Sequence, residues 1–425
     1  DMIVFMAGGM KMPNEAGRFA NGREIPQQKG KKAAADEGKP MGAYRRVRKK
    51  FHLFSVRSGL DMPFLFLVLI LLVIGLVMLF SASFAYAYYN FNKDSYYFIT
   101  RQAVFAVLGV VLMLAISYFD YHHLHKFAIP LLLVSYALLV VVLFLPGTKD
   151  VHRWIDLGVF QFQPSEIAKF ALTLCFAHLI SINFKRMDTF RYGVLPYMIL
   201  LGITVFLLVQ EPHVSAAVIV VALAGMMMFI GGVRLRWFGV AFGAVTAGIA
   251  YLVLFASELG YANDRIVAWL DPFTTDKALM ADTWQTRQSL YAIGSGGLLG
   301  LGLGQSRQKF LYLPEPQNDF IFAVVCEELG FIGALIIVIL FALLVWRGVT
   351  ISLKAKDKFG MLLGIGLTLQ VGLQVVLNIA VITNTIPNTG ISLPFFSYGG
   401  TSLIILLAQM GVVLSISRTS AIEKT

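Results

Sequence analysis

The chain has 425 residues, 57% of them hydrophobic and only 14% charged, with a mean hydropathy of +0.73 and a formal net charge of +11. Soluble domains carry about a quarter of their residues as Asp, Glu, Lys and Arg, so this composition excludes a soluble globular protein and describes a polytopic membrane protein. Both cysteines, Cys175 and Cys326, lie in apolar runs, which indicates neither a disulfide framework nor a cysteine metal site, and the placement of Lys and Arg fits membrane orientation rather than nucleic acid.

Residues 1–58 are the one stretch of soluble character. Lys and Arg recur from Lys11 to Arg57 among Gly, Pro and Gln with little periodicity, which predicts a disordered basic cytoplasmic tail ending in the cluster Arg45, Arg46, Arg48, Lys49 and Lys50. Such a cluster stays on the cytoplasmic side and meets anionic lipid head groups. The apolar start MIVFMAGGM is too short for a signal peptide and lacks its charged flank, so none is expected.

A helix needs about 20 apolar residues to cross a bilayer. Such stretches fall near 62–84, 100–118, 128–146, 165–183, 193–210, 213–231, 237–256, 319–346, 359–383 and 400–417. They are continuous rather than alternating, which predicts helices and not a barrel. The fold class is therefore an all-α polytopic membrane protein with ten transmembrane helices, its membrane domain over 59–418 and a short cytoplasmic end at 419–425. With the basic tail inside, the inner turns hold Lys126, then Lys185, Arg186 and Arg191, then Arg234 and Arg236, then Arg347, Lys354, Lys356 and Lys358, and finally Arg418 and Lys424. That agrees with the positive-inside rule at every inner turn. Both termini are then cytoplasmic, and a large loop of about 257–318 between spans seven and eight faces out of the cytoplasm, where ATP is absent.

This loop gathers acids (Asp264, Asp271, Asp276, Asp282), bases (Arg265, Lys277, Arg287, Arg307, Lys309) and a glycine series from Gly294 to Gly304. A solvated connector is the plain alternative. Against it, the glycines allow close backbone packing or positive φ, and the two prolines of YLPEPQ stiffen the chain, so acids held in such a frame can act as bases. Ionisable residues also sit within or beside spans. Glu166 and Lys169 are three apart on one helical face and can pair, Glu211 and His213 flank Pro212, and Glu327 and Glu328 lie inside a span. Such groups face a bundle interior or a water cavity, and internal ion pairs that lock helices together are the structural alternative. His213 is expected to be a satisfied helix-end histidine, and His122, His123 and His125 lack metal-site spacing. No Walker motif, GxSxG elbow or dinucleotide fingerprint is present.

Three stretches, HRWIDLGVFQFQPSEIAKF (152–170), QSLYAIGSGGLLGLGLGQSRQKFLYLPEPQNDFIFAVVCEELGFIG (288–333) and NTGISLPFFSYGGTSLI (388–404), resemble the signatures of the FtsW/RodA/SpoVE (SEDS) family, in the expected order, over about Leu60 to Arg418. GQSRQKFLYLPEPQ and LPFFSYGGTSL are more similar to the FtsW/SpoVE branch than to RodA. The resemblance implies a peptidoglycan glycosyltransferase in the bacterial cytoplasmic membrane that polymerises lipid II on its outer face, in cell division or sporulation. It implies a class B penicillin-binding protein as partner, with divisome or sporulation proteins. A lipid II flippase and a non-catalytic scaffold are the alternatives, and neither would need a base in the outer loop.

In such a reaction the leaving group departs as pyrophosphate and needs no acid, whereas the acceptor hydroxyl needs a base and the phosphates need cations or a metal. By the resemblance Asp276, after Asp271-Pro272, is the general base. The link DKALMADTWQ departs from the family pattern, with Lys277 for a proline and no glycine, and this leaves Asp282 as the alternative. The resemblance further implies a substrate site of Arg153, Trp154, Glu166, Lys169, Gln288, Ser397, Tyr398 and Gly399. Arg153 would meet phosphate as a bidentate donor. Interfacial anchoring is the alternative for Trp154 and close packing for the glycine. A divalent cation, Mg or Mn, is an expected cofactor without assigned ligands. Further departures are EPHVSAA at 211–217 and Asn318 before Asp319. The series Gly360, Gly364, Gly366 and Gly372 is expected to offer a small-residue surface to the partner's helix.

Overall fold

The structure, a computed structural model, describes residues 59–145, 153–156, 158, 161–211, 213–240, 243, 269–274 and 280–419, all of them in the compact unit His52–Thr425. The expected basic tail, most of the seventh span (237–256), Asp264, Arg265, Asp276 and Lys277 of the large loop, and residues 420–425 lie outside the described residues.

The elements run α1 (Met62–Asn90), α2 (Tyr97–Tyr118), α3 (Leu124–Leu143), β1 (Ile155–Asp156), β2 (Gln161–Phe162), α4 (Pro164–Asn183), α5 (Leu195–Gln210), α6 (Val214–Ile230), α7 (Met280–Gly296), α8 (Ile321–Leu353), α9 (Lys358–Ile382) and α10 (Gly400–Thr419). Among the described residues eight helices are long and apolar enough to cross a membrane, and α6 is a shorter apolar helix. These carry nine of the ten expected stretches, so the fold is that of a multi-pass helical membrane protein. The spanning helices are apolar on all sides, as segments buried in protein on one side and lipid on the other must be. Asp61 starts α1 by accepting the Phe64 amide at 3.0 Å, and its two oxygens also take Arg347 of α8 at 3.0 and 2.7 Å.

Without a hydrophobic force to join helices in lipid, close approach at small residues brings them together. α2 packs along α10, α1 along α8, α3 along α4, and α9 touches α4, α6 and α8. The α9 glycines serve this internal packing, contrary to their expected role as a partner surface. A side chain at Gly360 would strike Tyr121, at Gly364 Ser352, at Gly366 Thr173 and Met227, and at Gly372 Val345. Their faces are already covered by this chain's own helices.

The large loop is more regular than its glycines suggest. It contains α7, whose Ser289 hydroxyl donates to the Ile382 carbonyl at the end of α9 (3.0 Å). The glycine run that follows zips backbone to backbone onto a break in α8. Gly330 has φ +67° and interrupts the helix, and amides 331 and 332 donate to the carbonyls of Gly297 and Leu298 while amides 301 and 302 donate to those of Glu327 and Glu328. A Cβ on Gly300 would overlap the Glu328 carbonyl and one on Gly330 the Gly300 amide, so glycine is required on both sides of this seam.

The carboxylates freed by the break hold the next segment. Glu327 accepts from the Ser306 hydroxyl and the amides of Arg307 (2.9 Å) and Gln308 (3.4 Å). Glu328 accepts from the amides of Gly304 (2.9 Å) and Ser306 (3.3 Å), from Ser81 of α1 and from Lys309. Internal locking is thus the role the structure shows for both glutamates.

Candidate functional site

A cavity of about 780 Å³ opens between the helices. Its walls come from the end of α1, α2, the β1–β2 hairpin, the N-terminal turns of α4 and α6, the 315–319 segment, the middle of α9 and the 390–409 stretch that leads into and includes the first half of α10. Arg153, Trp154, Glu166, Lys169, Ser397, Tyr398 and Gly399 all line this one cavity.

α4 begins at Pro164, a residue suited to the first helical turn because its missing N–H has no partner there in any case. Glu166 sits in that turn, where the helix dipole favours an anion, and accepts Lys169 Nζ at 2.8 Å. Lys169 is 3% exposed, so its charge needs this partner. Arg153 precedes the hairpin and donates from Nε to the Glu211 carbonyl at 3.4 Å, while Trp154 stays 41% exposed beside it. The hairpin is tied down by the Thr401 hydroxyl, which donates to the Gln161 carbonyl at 2.9 Å.

The closing stretch is built from its own polar groups. The Ser397 hydroxyl donates to the Asn318 carbonyl (2.7 Å) and accepts the Leu393 amide (2.8 Å). The Tyr398 amide donates to the Gln317 carbonyl (2.9 Å), and Gln102 of α2 accepts the Gly399 amide (3.2 Å) and donates to the Ser397 carbonyl (3.4 Å). Ser397 and Gly399 therefore shape the wall, and their hydrogen-bonding groups face protein.

Gln288 is buried in α7 and lies apart from the cavity wall. Asp276 lies outside the described residues, and Asp282 falls in the first turn of α7 with its side chain outside them. What is described is the frame around them. Arg287 of α7 donates to the carbonyls of Pro272 (3.1 Å) and Thr274 (2.7 Å), and Trp269 and Asn384 exchange side-chain-to-carbonyl hydrogen bonds of 3.0 Å each way. The turn that leads into residue 276 is thereby pinned to α7 and to the end of α9.

Several wall residues are not among the expected site residues: Arg101 on α2, Asp319 before α8, and Gln370, Gln374 and Gln409 on α9 and α10. Helical spacing of glutamines inside apolar runs is the signal that marks the last three, since uncharged polar groups at that depth face a polar space. Asp319 stands at the expected start of span eight, but the helix begins at Ile321 and the carboxyl faces the cavity. Burial first, and then the neighbouring Glu315, push its pKa up to about 6, with Arg153 acting the other way. In the α5–α6 turn, burial pushes Glu211 up to about 8 against the pull of Arg153, and both of its side-chain oxygens lack a hydrogen-bond partner among the described residues. His213 is not the satisfied helix-end residue expected of it. It lines the cavity, its Nδ1 has no partner among the described residues, and burial followed by Arg153 and Lys169 holds its pKa down to about 3. Pro212 separates it from Glu211 in the sequence, and burial beside Arg153 and Lys169 favours the neutral imidazole.

An aromatic rim (Tyr86, Phe91, Tyr97, Phe98, Phe105) beside arginines suits a molecule with an apolar chain and an anionic head. Among the described residues no group of three or more His, Cys, Asp or Glu side chains could hold a metal ion.

Comparison with known proteins agrees with the geometry. The FtsW/RodA/SpoVE model, described as cell cycle protein, matches residues 62–422. Stage V sporulation protein E of Bacillus subtilis (strain 168) is 41% identical over 332 residues, covering 77% of this chain and 88% of that protein. A probable peptidoglycan glycosyltransferase FtsW of Geobacter sp. (strain M18) is 40% identical over 331 residues, with 76% and 88% covered. Among solved structures, a chain from a study of the structural coordination of polymerization and crosslinking by a peptidoglycan synthase complex superposes with a TM-score of 0.70 at 27% identity, covering 85% of this chain and 98% of that one. The rod shape determining protein RodA of Thermus thermophilus gives 0.62 at 27% identity, with 86% and 99% covered.

Proposed function

The chain belongs to the FtsW/RodA/SpoVE family, and we propose that it is a peptidoglycan glycosyltransferase that polymerises lipid II into glycan strands on the outer face of the cytoplasmic membrane, in cell division or sporulation. The observation that carries this reading is the cavity itself, which places the family's motif residues Arg153, Glu166, Lys169 and Tyr398 on one wall beside an aromatic rim. An apolar polyprenyl chain fits the rim and the lipid side, and the sugar head fits the polar interior.

The acceptor sugar hydroxyl attacks the anomeric carbon of the donor. The glycosidic bond forms as the bond from that carbon to the pyrophosphate oxygen breaks, and polyprenyl pyrophosphate leaves with the electron pair. The hydroxyl proton passes to a carboxylate. Asp276 takes that role in this reading, with Asp282 as the alternative. Arg153 meets phosphate, and the Glu166–Lys169 pair keeps the inner end of the cavity polar without net charge. A class B penicillin-binding protein is the proposed partner, in keeping with the crosslinking complex that this fold resembles. In this reading both termini lie in the cytoplasm, which the positive charge of the inner turns supports.

The test is glycan synthesis from lipid II by the purified chain, alone and with its cognate transpeptidase, with and without Mg²⁺ or Mn²⁺. Polymer in any of these arms supports the reading. Translocation of lipid II with no polymer in any arm would make the chain a flippase.

A further inference from the structure

Arg101 is the cation of this cavity that the motifs leave unassigned. It projects from the second turn of α2, exposed to the cavity, with its guanidinium 4.1 Å from the centre of the Tyr97 ring and near the Tyr398 side chain. Among the described residues no carboxylate pairs with it. The other two cationic groups of the wall are differently placed. Lys169 is neutralised by Glu166 at 2.8 Å, and Arg153 lies among the carboxyl groups of Glu211 and Asp319.

An arginine without an acid, set over an aromatic ring on a cavity wall, is a charge awaiting a counter-ion. Its fork matches two phosphate oxygens, and the contact with the Tyr97 ring holds it before the ligand arrives, so less side-chain freedom is lost on binding. Phe91, Phe98 and Phe105 line the same cavity. Gln102, the next residue, anchors α2 to the Ser397–Gly399 backbone and keeps the arginine in register with the closing stretch.

We propose that Arg101 binds the pyrophosphate of a polyprenyl-linked substrate, with Phe91, Phe98 and Phe105 receiving the first units of its chain. The inference rests on the reading of the chain as a polymerase of lipid-linked sugars and names the residue that holds the anionic link. A phospholipid head group offers the same phosphate chemistry, and the experiment separates the two sources.

The full chain, in phosphatidylcholine nanodiscs, is titrated with farnesyl pyrophosphate and with farnesol. Arg101→Gln should weaken farnesyl pyrophosphate by about 10- to 100-fold, the range of one lost charge-assisted phosphate contact, and leave farnesol unchanged. Arg101→Lys should fall between, and Lys356→Gln, far along the chain in the exposed α8–α9 turn, should bind as wild type. Equal affinity in Arg101→Gln and wild type overturns the inference while leaving the polymerase reading intact, and so does a parallel loss of farnesol. Displacement of farnesyl pyrophosphate from the wild type by added phosphatidylglycerol, absent in Arg101→Gln, would assign the residue to membrane phospholipid instead. A wild type that binds no farnesyl pyrophosphate in any lipid overturns the inference, and retained polymerisation of lipid II would show that the broader reading survives it.

Discussion

Lys309 Nζ lies 2.9 Å from Glu328 Oε1, and the two residues are only 3% and 1% exposed. The lysine also donates to the Ser81 hydroxyl (3.0 Å) and the Gly304 carbonyl (2.7 Å), so one ammonium group joins α1, the glycine-rich run and the broken helix α8. A buried pair adds little over an apolar replacement, but removal of one partner leaves an uncompensated charge. Lys309→Met should therefore lower stability by about 3–5 kcal/mol. Thermal unfolding in detergent reads this as a fall in melting temperature, and an unchanged value would mean that water or another cation replaces the ammonium.

The orientation is open to a labelling test at sites chosen by exposure. Ser306 and Ser352, although suitably placed along the chain, are both 0% exposed and would not react. Gln305 and Lys356 are exposed neighbours, and the native Cys175 and Cys326 are buried. Gln305→Cys should be labelled by an impermeant thiol reagent in intact cells and Lys356→Cys only after lysis. The reverse pattern would invert the protein in the membrane.

Asp276→Asn keeps shape and removes the proposed base, so polymerisation should fall about 10²- to 10⁴-fold with partner binding and expression maintained. Asp282→Asn changes the charge equally within α7 and should leave most activity. If Asp282→Asn abolishes glycan synthesis and Asp276→Asn does not, the base is Asp282, and the register through DKALMADTWQ shifts accordingly.

Asp319 makes stability depend on pH. Its folded pKa, about 6, stands above the ordinary 3.8, so the folded state favours the neutral carboxyl. The corresponding stability is fully present below about pH 4 and is lost as pH rises through about 6, because above that the charged form must be kept in a desolvated wall beside Glu315. The displacement from 3.8 to about 6 amounts to at most roughly 3 kcal/mol, less the screening by cavity water. Asp319→Asn should thus raise the melting temperature at pH 8, keep about half of that advantage at pH 5 and lose most of it at about pH 4. An advantage of the same size at all three values would place its cause outside this titration.

Periodicity and composition alone determined that the chain is helical and membrane-spanning, because about 20 consecutive apolar residues have few other stable fates. Nine of the ten expected stretches coincide with described apolar helices, and the Glu166–Lys169 pair is legible as an i, i+3 spacing within one helix. Local rules end where partners come from distant segments. The Gly300–Gly330 seam, the two glutamates that cap the 304–309 segment and the inward faces of the α9 glycines depend on which helices meet, and sequence spacing holds no record of that. The same holds for the site. Arg153, Glu166, Lys169 and Tyr398 were recognisable from their motifs, whereas Arg101, Asp319 and His213 acquired their place on the wall only when α2, the start of α8 and the α5–α6 turn closed on one cavity. A titratable side chain has its character set by its neighbours' charge and by lost water, and those neighbours are supplied by the tertiary structure.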